Sequence, residues 1–372
     1  MGFGLFVPEF RSAFSMSTST IGFVSSLGFL GFFIGLLIAP ALLARQGPES
    51  PVLVGLAAAT IGMGVVASAP NVPVLAAGVL LAASSAGLAW TPFNDAIHRK
   101  VRDDDRPAAL SGVSTGTGVG IVLAGLAAFV MVNGDLSWRI CWALFAAASA
   151  CAFFGNWIAL RGVKKDPEGR QTKEWRDLAD TAAIPLYAIG FAYGTSSAIY
   201  ISFAADQLVD AGGVPGVPVG VTPAFVYIFY GLFGLSGLLT GRIKDLTGLP
   251  MLLRLLMLAG ALSLALVAIA PGTWAGLISS AGLQGIHVMM TSAVLAFWSE
   301  RQFPSLPSLS FTAALLAVAA GSVLGPAVAG FASSAFGADA MFLGTAALPA
   351  ATAILLRNRH AQERPARTTT PP

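Results

Sequence analysis

The stretch GRIKDLTG, residues 241–248, separates two long apolar runs, residues 222–241 and 249–270. It begins and ends on a glycine and places Arg242, Lys244 and Asp245 between them. Each flanking run has the ~20 residues that an α-helix needs to cross a bilayer. The stretch therefore predicts a short charged connection at a membrane surface, with a transmembrane helix on either side.

The whole chain repeats this pattern of apolar runs and polar connections. Of its 372 residues, 55% are hydrophobic and only 10% are charged, whereas soluble domains are about one quarter charged. The composition excludes a soluble globule and predicts an all-α integral membrane protein. Eleven runs are long enough to span a bilayer: residues 20–44, 51–69, 73–96, 110–132, 140–160, 182–206, 222–241, 249–270, 273–298, 308–334 and 338–356.

The first ten residues, MGFGLFVPEF, are apolar but too short to span a bilayer. We interpret them as the last half of a further helix whose start precedes this sequence; a short interfacial segment is the alternative. Six spans then lie before the polar stretch 161–180 and six after it. The predicted organisation is an N-terminal bundle at 1–160, a central connection at 161–181, a C-terminal bundle at 182–357 and a disordered tail at 358–372.

The basic residues indicate how the chain is oriented. Apart from Arg11 and Arg139, all of the 21 Lys and Arg residues fall in connections that share one side of the membrane. Basic residues concentrate in cytoplasmic connections of membrane proteins. The pattern predicts a multi-pass protein of a cell (inner) membrane, with the central connection and the C-terminus in the cytoplasm.

The two halves resemble each other at a shift of 205 residues, which aligns Asp95 with Glu300. The same shift aligns Gly116, Gly120 and Gly125 with Gly321, Gly325 and Gly330. Gly116 and Gly120 belong to the stretch SGVSTGTGVG, residues 111–120. Glycines four residues apart share one helix face and let membrane helices approach closely. A phosphate-binding loop is the alternative, but the stretch lacks the order G-x-G-x-x-G. The predicted helix-packing residues are Gly112, Gly116, Gly120, Gly321 and Gly325.

The connection at 241–248 resembles the signature of the major facilitator superfamily, Gly-x-x-x-Asp-x-x-Gly with basic residues. Gly241, Arg242, Lys244, Asp245 and Gly248 match it. The resemblance implies a fold of two parallel six-helix bundles around a central cavity, and a gating role for these residues at the cytoplasmic side. We assign gating to Asp95 and Glu300 as well, since they end equivalent spans. The copy in the first half, ALLARQGPE, has an alanine where the aspartate is expected, so its latch is weakened or built differently.

Polar side chains form stripes on three spans, the fourth, seventh and tenth when the partial helix is counted. The resemblance implies that these spans line the central cavity. The alternative is that the polar groups hydrogen-bond between helices. The candidate substrate-binding residues are Trp90, Thr91, Asn94, Tyr193, Ser197, Tyr200, Gln284, His287 and Thr291.

His287 is the ionisable side chain placed deepest within a predicted span, and such residues are functional candidates. It could carry a proton or hold an anionic group, or it could be a neutral histidine packed beside Gln284. Glu9 and Asp206 are expected near the outer entrance. Cys141 and Cys151, ten residues apart in one run, are expected to be packing residues.

Together these features predict a secondary transporter that moves a small organic molecule, neutral or singly anionic, by alternating access. Protons are the candidate coupling ion, a monomer is expected, and the lipid bilayer is the surrounding partner. The sequence shows no arrangement typical of an enzyme, a metal site, a cofactor site or a nucleic-acid site. Two alternatives stay open: a non-transporting membrane sensor on the same scaffold, and a facilitator that works without a gradient.

Overall fold

The computed structural model describes residues 2–102, 105–161, 178, 180–303, 306–358 and 361. Within these residues the chain is helical and contains no strand. The predicted central connection and C-terminal tail lie almost wholly outside the described residues. The helices are α1 Gly2–Leu5, α2 Val7–Phe14, α3 Thr18–Gln46, α4 Glu49–Ser68, α5 Val72–Lys100, α6 Arg106–Asn133, α7 Trp138–Leu160, α8 Ile184–Asp210, α9 Thr222–Gly234, α10 Thr240–Thr247, α11 Leu249–Ile269, α12 Trp274–Gln302, α13 Pro307–Phe336 and α14 Ala338–Leu355.

The described residues contain eleven helical segments that are long and apolar enough to cross a membrane. They coincide with the eleven apolar runs to within a few residues, which confirms the predicted all-α membrane fold. The outward surface of α7 illustrates the reason, since Leu144, Phe154 and Ile158 are 60%, 58% and 67% exposed. Such a surface is stable only when lipid surrounds it.

Local sequence signals set the helix ends. Ser17, Asn71 and Thr273 each accept a hydrogen bond from a backbone N–H in the first turn of the helix that follows. The predicted connection 241–248 differs from expectation, because the chain stays helical through Thr247. Gly248 then ends α10 with a φ of 78°, a conformation that glycine adopts without strain.

The spanning helices alternate in direction, so the bundle has two ends. We call the end with Gln46, Lys100 and Gln302 the linker end, and the end with Asn133 and Asp210 the far end. Within the N-terminal half, α3 and α4 pack on α5, and α4 packs on α7. Within the C-terminal half, α8 packs on α13, and α11 packs on α12 and α14.

The two most extensive helix contacts between the halves are α3 with α13 and α6 with α9. The N-terminal segment α1–α2 also crosses between the halves, because it contacts α8 while Phe6 and Phe10 pack among the rings of Trp138 and Trp142 in α7. The approach to the C-terminal half is close: a Cβ on Gly4 would lie 2.6 Å from the Tyr227 hydroxyl. This packing fixes the position of Arg11 at the far end.

Candidate functional site

A cavity of about 670 Å³ lies between the two halves. It extends from the middle of the helices to the linker end, and along α5 the distance from Ala86 to Asp95 is about 14 Å. Its volume is typical of sites for small organic molecules. The lining residues are Ala86, Ala89, Trp90, Thr91, Phe93, Asp95, Thr115, Gly116, Thr117, Gly118, Gly234, Leu235, Gly237, Leu238, Thr240, Gly241, Met289, Ser292, Ala293, Ala296, Phe297, Glu300, Ser308 and Phe311.

The cavity wall combines aromatic rings with hydroxyl groups and two acids. Trp90 and Phe93 come from α5, and Phe297 and Phe311 come from α12 and α13. A short 3₁₀ turn at residues 235–239 interrupts the helix between α9 and α10 beside the cavity. Such interruptions often mark functional hinges.

The far end is closed by an ion pair between the halves. Arg11, in α2, donates from Nε to Oδ1 of Asp206 at 3.0 Å, and its Nη2 contacts the second carboxylate oxygen. Arg11 also donates to the Met16 carbonyl and to Thr18 Oγ1, both at 3.3 Å. The Asp206 side chain is 6% exposed and that of Arg11 is 28% exposed. A buried, two-point pair of this kind is stronger than a surface ion pair.

The second far-end contact joins α3 to α13. Ser19 Oγ lies 2.8 Å from Ser334 Oγ and donates to the Gly330 carbonyl at 3.4 Å. One turn further, Gly22 lies so close to α13 that a Cβ there would overlap the Pro326 carbonyl oxygen. Backbone meets backbone at this point, so the closure depends on glycine.

The third contact joins α6 to α9 and differs from the predicted glycine face. Gly118 and Gly125 face α9: a Cβ on Gly125 would lie 2.9 Å from the Ala224 carbonyl oxygen, and one on Gly231 would lie 2.7 Å from that of Gly118. By contrast, a Cβ on Gly116 or Gly120 would meet nothing within 4 Å. The four-residue spacing of Gly116 and Gly120 marks one face of α6, but the face that packs on α9 is the one with Gly118 and Gly125.

The other predicted packing glycines have mixed outcomes. In α13, a Cβ on Gly321 or Gly325 would lie 2.8 Å or 2.9 Å from atoms of Thr195 in α8. These two glycines therefore stand where two helices meet. The surroundings of Gly112 lie outside what the structure describes.

Two of the predicted binding residues line the cavity. Trp90 and Thr91 are in its wall, and the Thr91 hydroxyl lies 3.4 Å from that of Thr312 in α13. The side chain of Asn94 lies outside the described part of the structure.

His287 lies inside the C-terminal half, away from the cavity wall. Its Nδ1 is 2.7 Å from the Leu256 carbonyl oxygen, and a Cβ on Gly260 would lie 2.8 Å from its Nε2. The ring of Tyr193 meets it edge-on at 5.4 Å, and the Tyr193 hydroxyl donates to the Val288 carbonyl at 3.1 Å. His287 therefore faces α11.

The remaining stripe residues lie within the same half. The Tyr200 hydroxyl accepts a hydrogen bond from Ser280 at 3.1 Å. Ser197, Gln284 and Thr291 are buried, and their side-chain polar atoms have no hydrogen-bond partner among the described residues. A substrate-binding role for these residues and for His287 stays a prediction, because they do not line the cavity in this conformation.

Several cavity residues were not identified from the sequence. On α12 the cavity face carries Met289, Ala293 and Phe297, on the same side as the gating candidate Glu300. His287 is thirteen residues before Glu300, about 140° away around the helix. Residues three and four positions before Glu300 share its helix face and would have indicated the cavity face. The polar stripe with His287 indicated a different face of α12.

The gating candidates lie at the linker end. Gly241, Asp95 and Glu300 line the cavity there. Asp245 is 76% exposed and pairs with its neighbour Lys244 at 3.5 Å. The exposure of Asp245 agrees with a cavity that is open at the linker end. A latch at Asp245 is needed only in a state in which that end is closed.

Comparisons with known proteins agree with this fold. Residues 1–302 match the family model of the Major Facilitator Superfamily. The structure is similar to a mutant of the nucleoside transporter NupG, with a TM-score of 0.75 and 16% identity over 95% of this chain and 92% of that one. It is also similar to the peptide transporter POT in complex with sulfate, with a TM-score of 0.76 and 15% identity over 95% and 90% of the two chains. A comparison with curated protein sequences gives no match.

Fold and cavity together define a multi-pass α-helical membrane protein of the transporter class. The chain belongs to the Major Facilitator Superfamily.

Proposed function

We propose that this protein is a secondary transporter that moves a small organic molecule across a cell (inner) membrane by alternating access. The observation that carries the proposal is the cavity, which both halves line and which is closed at one end by contacts between those halves. Substrate sites of such transporters lie between two bundles that rock against each other. The far-end contacts are side-chain pairs and glycine packing, which can separate without unfolding either half.

The orientation follows from the charges. The linker end carries the basic connections, so we place it and the C-terminus in the cytoplasm. With this orientation we infer that the cavity opens toward the cytoplasm, and we expect the protein to work as a monomer. Protons remain the candidate coupling ion.

Filling the cavity should abolish transport. In Ala293→Trp a large ring enters the cavity wall between Met289 and Phe297, so we expect uptake to fall at least ~100-fold. Uptake is measured in proteoliposomes with pools of radiolabelled small organic molecules, with and without a pH gradient. Uptake that follows the gradient supports proton coupling, and gradient-independent uptake supports a facilitator.

The matched control is Ala147→Trp on the exposed face of α7. It adds the same side chain toward lipid and should leave uptake within about twofold. Substrate binding without any flux would contradict the proposed transport and favour a membrane sensor. Equal uptake by both variants would show that the cavity is not the route.

Weakening the far-end ion pair should shift the protein toward an open far end. Asp206→Asn removes the charge that Arg11 contacts, and a hydrogen bond to a charged group contributes about 1.5–3 kcal/mol. We expect the rate at which maleimide labels a cysteine introduced at the far end to rise about 10–100-fold. The control is Arg139→Gln, since Arg139 donates to the Ala69 carbonyl within one half. Equal labelling of the two variants would contradict a gating role for Arg11 and Asp206.

A further inference from the structure

We infer that the cavity binds an organic cation with an apolar, partly aromatic body. This inference names the substrate class within the transport function proposed above and rests on it. The charged side chains among the described lining residues are Asp95 and Glu300, and both are acids. No Lys, Arg or His is among them.

Glu300 is the acid that we place in contact with the cation. It is exposed at the linker end of α12, where the cavity meets solvent. Its counterpart in the other half, Asp95, ends the cavity face of α5. The Glu300 carboxylate attracts a cation that comes into contact with it and repels an anion at the same place.

The aromatic rings supply the second part of the site. Trp90, Phe93, Phe297 and Phe311 line the same cavity, and the face of an aromatic ring attracts cations. The Lys244 ammonium already lies over the Phe297 ring, 5.1 Å from its centre. The rings of Trp90, Phe93 and Phe311 offer the same kind of surface to a ligand cation inside the cavity.

The neutral lining limits what else the ligand can be. Apart from the two acids and the Trp90 indole, the polar side chains among the described lining residues are the hydroxyls of Thr91, Thr115, Thr117, Thr240, Ser292 and Ser308. These accept or donate single hydrogen bonds and provide no full positive charge for an anion. The sequence favoured a neutral or anionic molecule because His287 was expected in the cavity. His287 faces α11 instead.

Binding to purified protein in nanodiscs tests this inference. The probe is radiolabelled N-methyl phenylpyridinium, a permanent cation. Its competitors are phenylpyridine, which is neutral at mildly alkaline pH, and biphenyl carboxylate, an anion of the same shape. We expect the cation to bind at least about tenfold more tightly than the neutral molecule and the anion to bind weakest. Glu300→Gln should remove most of this preference, and Glu300→Asp should retain part of it.

The control is Glu49→Gln, since Glu49 begins α4 and is not among the cavity residues. It should leave the preference unchanged, and thermal unfolding checks that every variant is folded. Equal binding of cation and neutral molecule, no binding of the cation, or a preference that survives Glu300→Gln would overturn the inference.

Flux separates this inference from the proposed function. Uptake of the cation into proteoliposomes should increase with an inside-negative potassium diffusion potential. Cation binding without flux would leave the site standing and refute transport. Flux of neutral molecules without any cation preference would leave transport standing and refute the cation site.

Discussion

The double variant Ser19→Cys/Ser334→Cys is expected to lose all transport when oxidised and to recover it when reduced. The two hydroxyl oxygens lie 2.8 Å apart on α3 and α13, and a disulfide needs sulfur atoms about 2.05 Å apart. The bond would join the two halves covalently at the far end. Alternating access requires that end to open in every cycle, so uptake in proteoliposomes should fall to background.

The control uses a pair with the same spacing inside one half. Ser17 Oγ and Thr20 Oγ1 are also 2.8 Å apart, and both belong to the start of α3. The oxidised Ser17→Cys/Thr20→Cys variant should transport normally. Both variants are made with Cys141→Ala and Cys151→Ala, because Cys151 is exposed. Undiminished uptake by the fully cross-linked Ser19→Cys/Ser334→Cys protein would contradict alternating access.

The sequence predicts the membrane fold well because span length is a one-dimensional property. A bilayer requires about 20 apolar residues from each helix, wherever its neighbours lie. The runs at 51–69 and 249–270 therefore correspond closely to α4 and α11. The end of α10 was less predictable. Charges and glycines at 241–248 indicate a membrane surface, but charged residues occur within helices as well as between them, so they do not show where the helix ends.

The site is harder to predict because a helix has several faces and the sequence does not say what each one meets. The stripe with Gln284 and His287 is a true helical face, but it packs inside the C-terminal half. A polar face in a membrane protein meets either water or another helix. For the same reason Gly116 was expected to pack, whereas Gly118 contacts α9. Only the pairing of helices decides such cases.

The largest effect in the opposite direction is expected from Gly22→Ala. A Cβ at this position would overlap the Pro326 carbonyl oxygen and lie 3.2 Å from the Gly330 Cα, both in the other half. Forcing extra atoms into a close contact costs about 1–3 kcal/mol, which corresponds to roughly 5–150-fold in an equilibrium. The cost falls on the state with a closed far end, so that end should open. Ser26 lies four residues after Gly22 on the same face of α3 and is buried. Maleimide labelling of a single Ser26→Cys should rise accordingly, and uptake should fall.

Substitutions at two further glycines distinguish an effect on gating from an effect on folding. Gly64→Ala in α4 meets nothing within 4 Å and should change neither labelling nor uptake. Gly62→Ala brings a Cβ within 2.8 Å of the Ala82 Cα inside the N-terminal half. It should lower thermal stability without a specific rise in far-end labelling. If Gly62→Ala and Gly22→Ala raise labelling equally, general loosening explains the result and the gate does not.

Gly22→Ala and the Ser19–Ser334 cross-link should act on one equilibrium from opposite sides. The disulfide forms only while the far end is closed, and maleimide reaches the buried Ser26→Cys only while it is open. Adding Gly22→Ala to the double cysteine variant should therefore slow cross-linking. When the open state is the major one, the rate falls in proportion to the remaining closed population. Faster labelling with unchanged cross-linking would mean that the two reactions report different motions, and closure by rigid rocking of the halves would then be wrong.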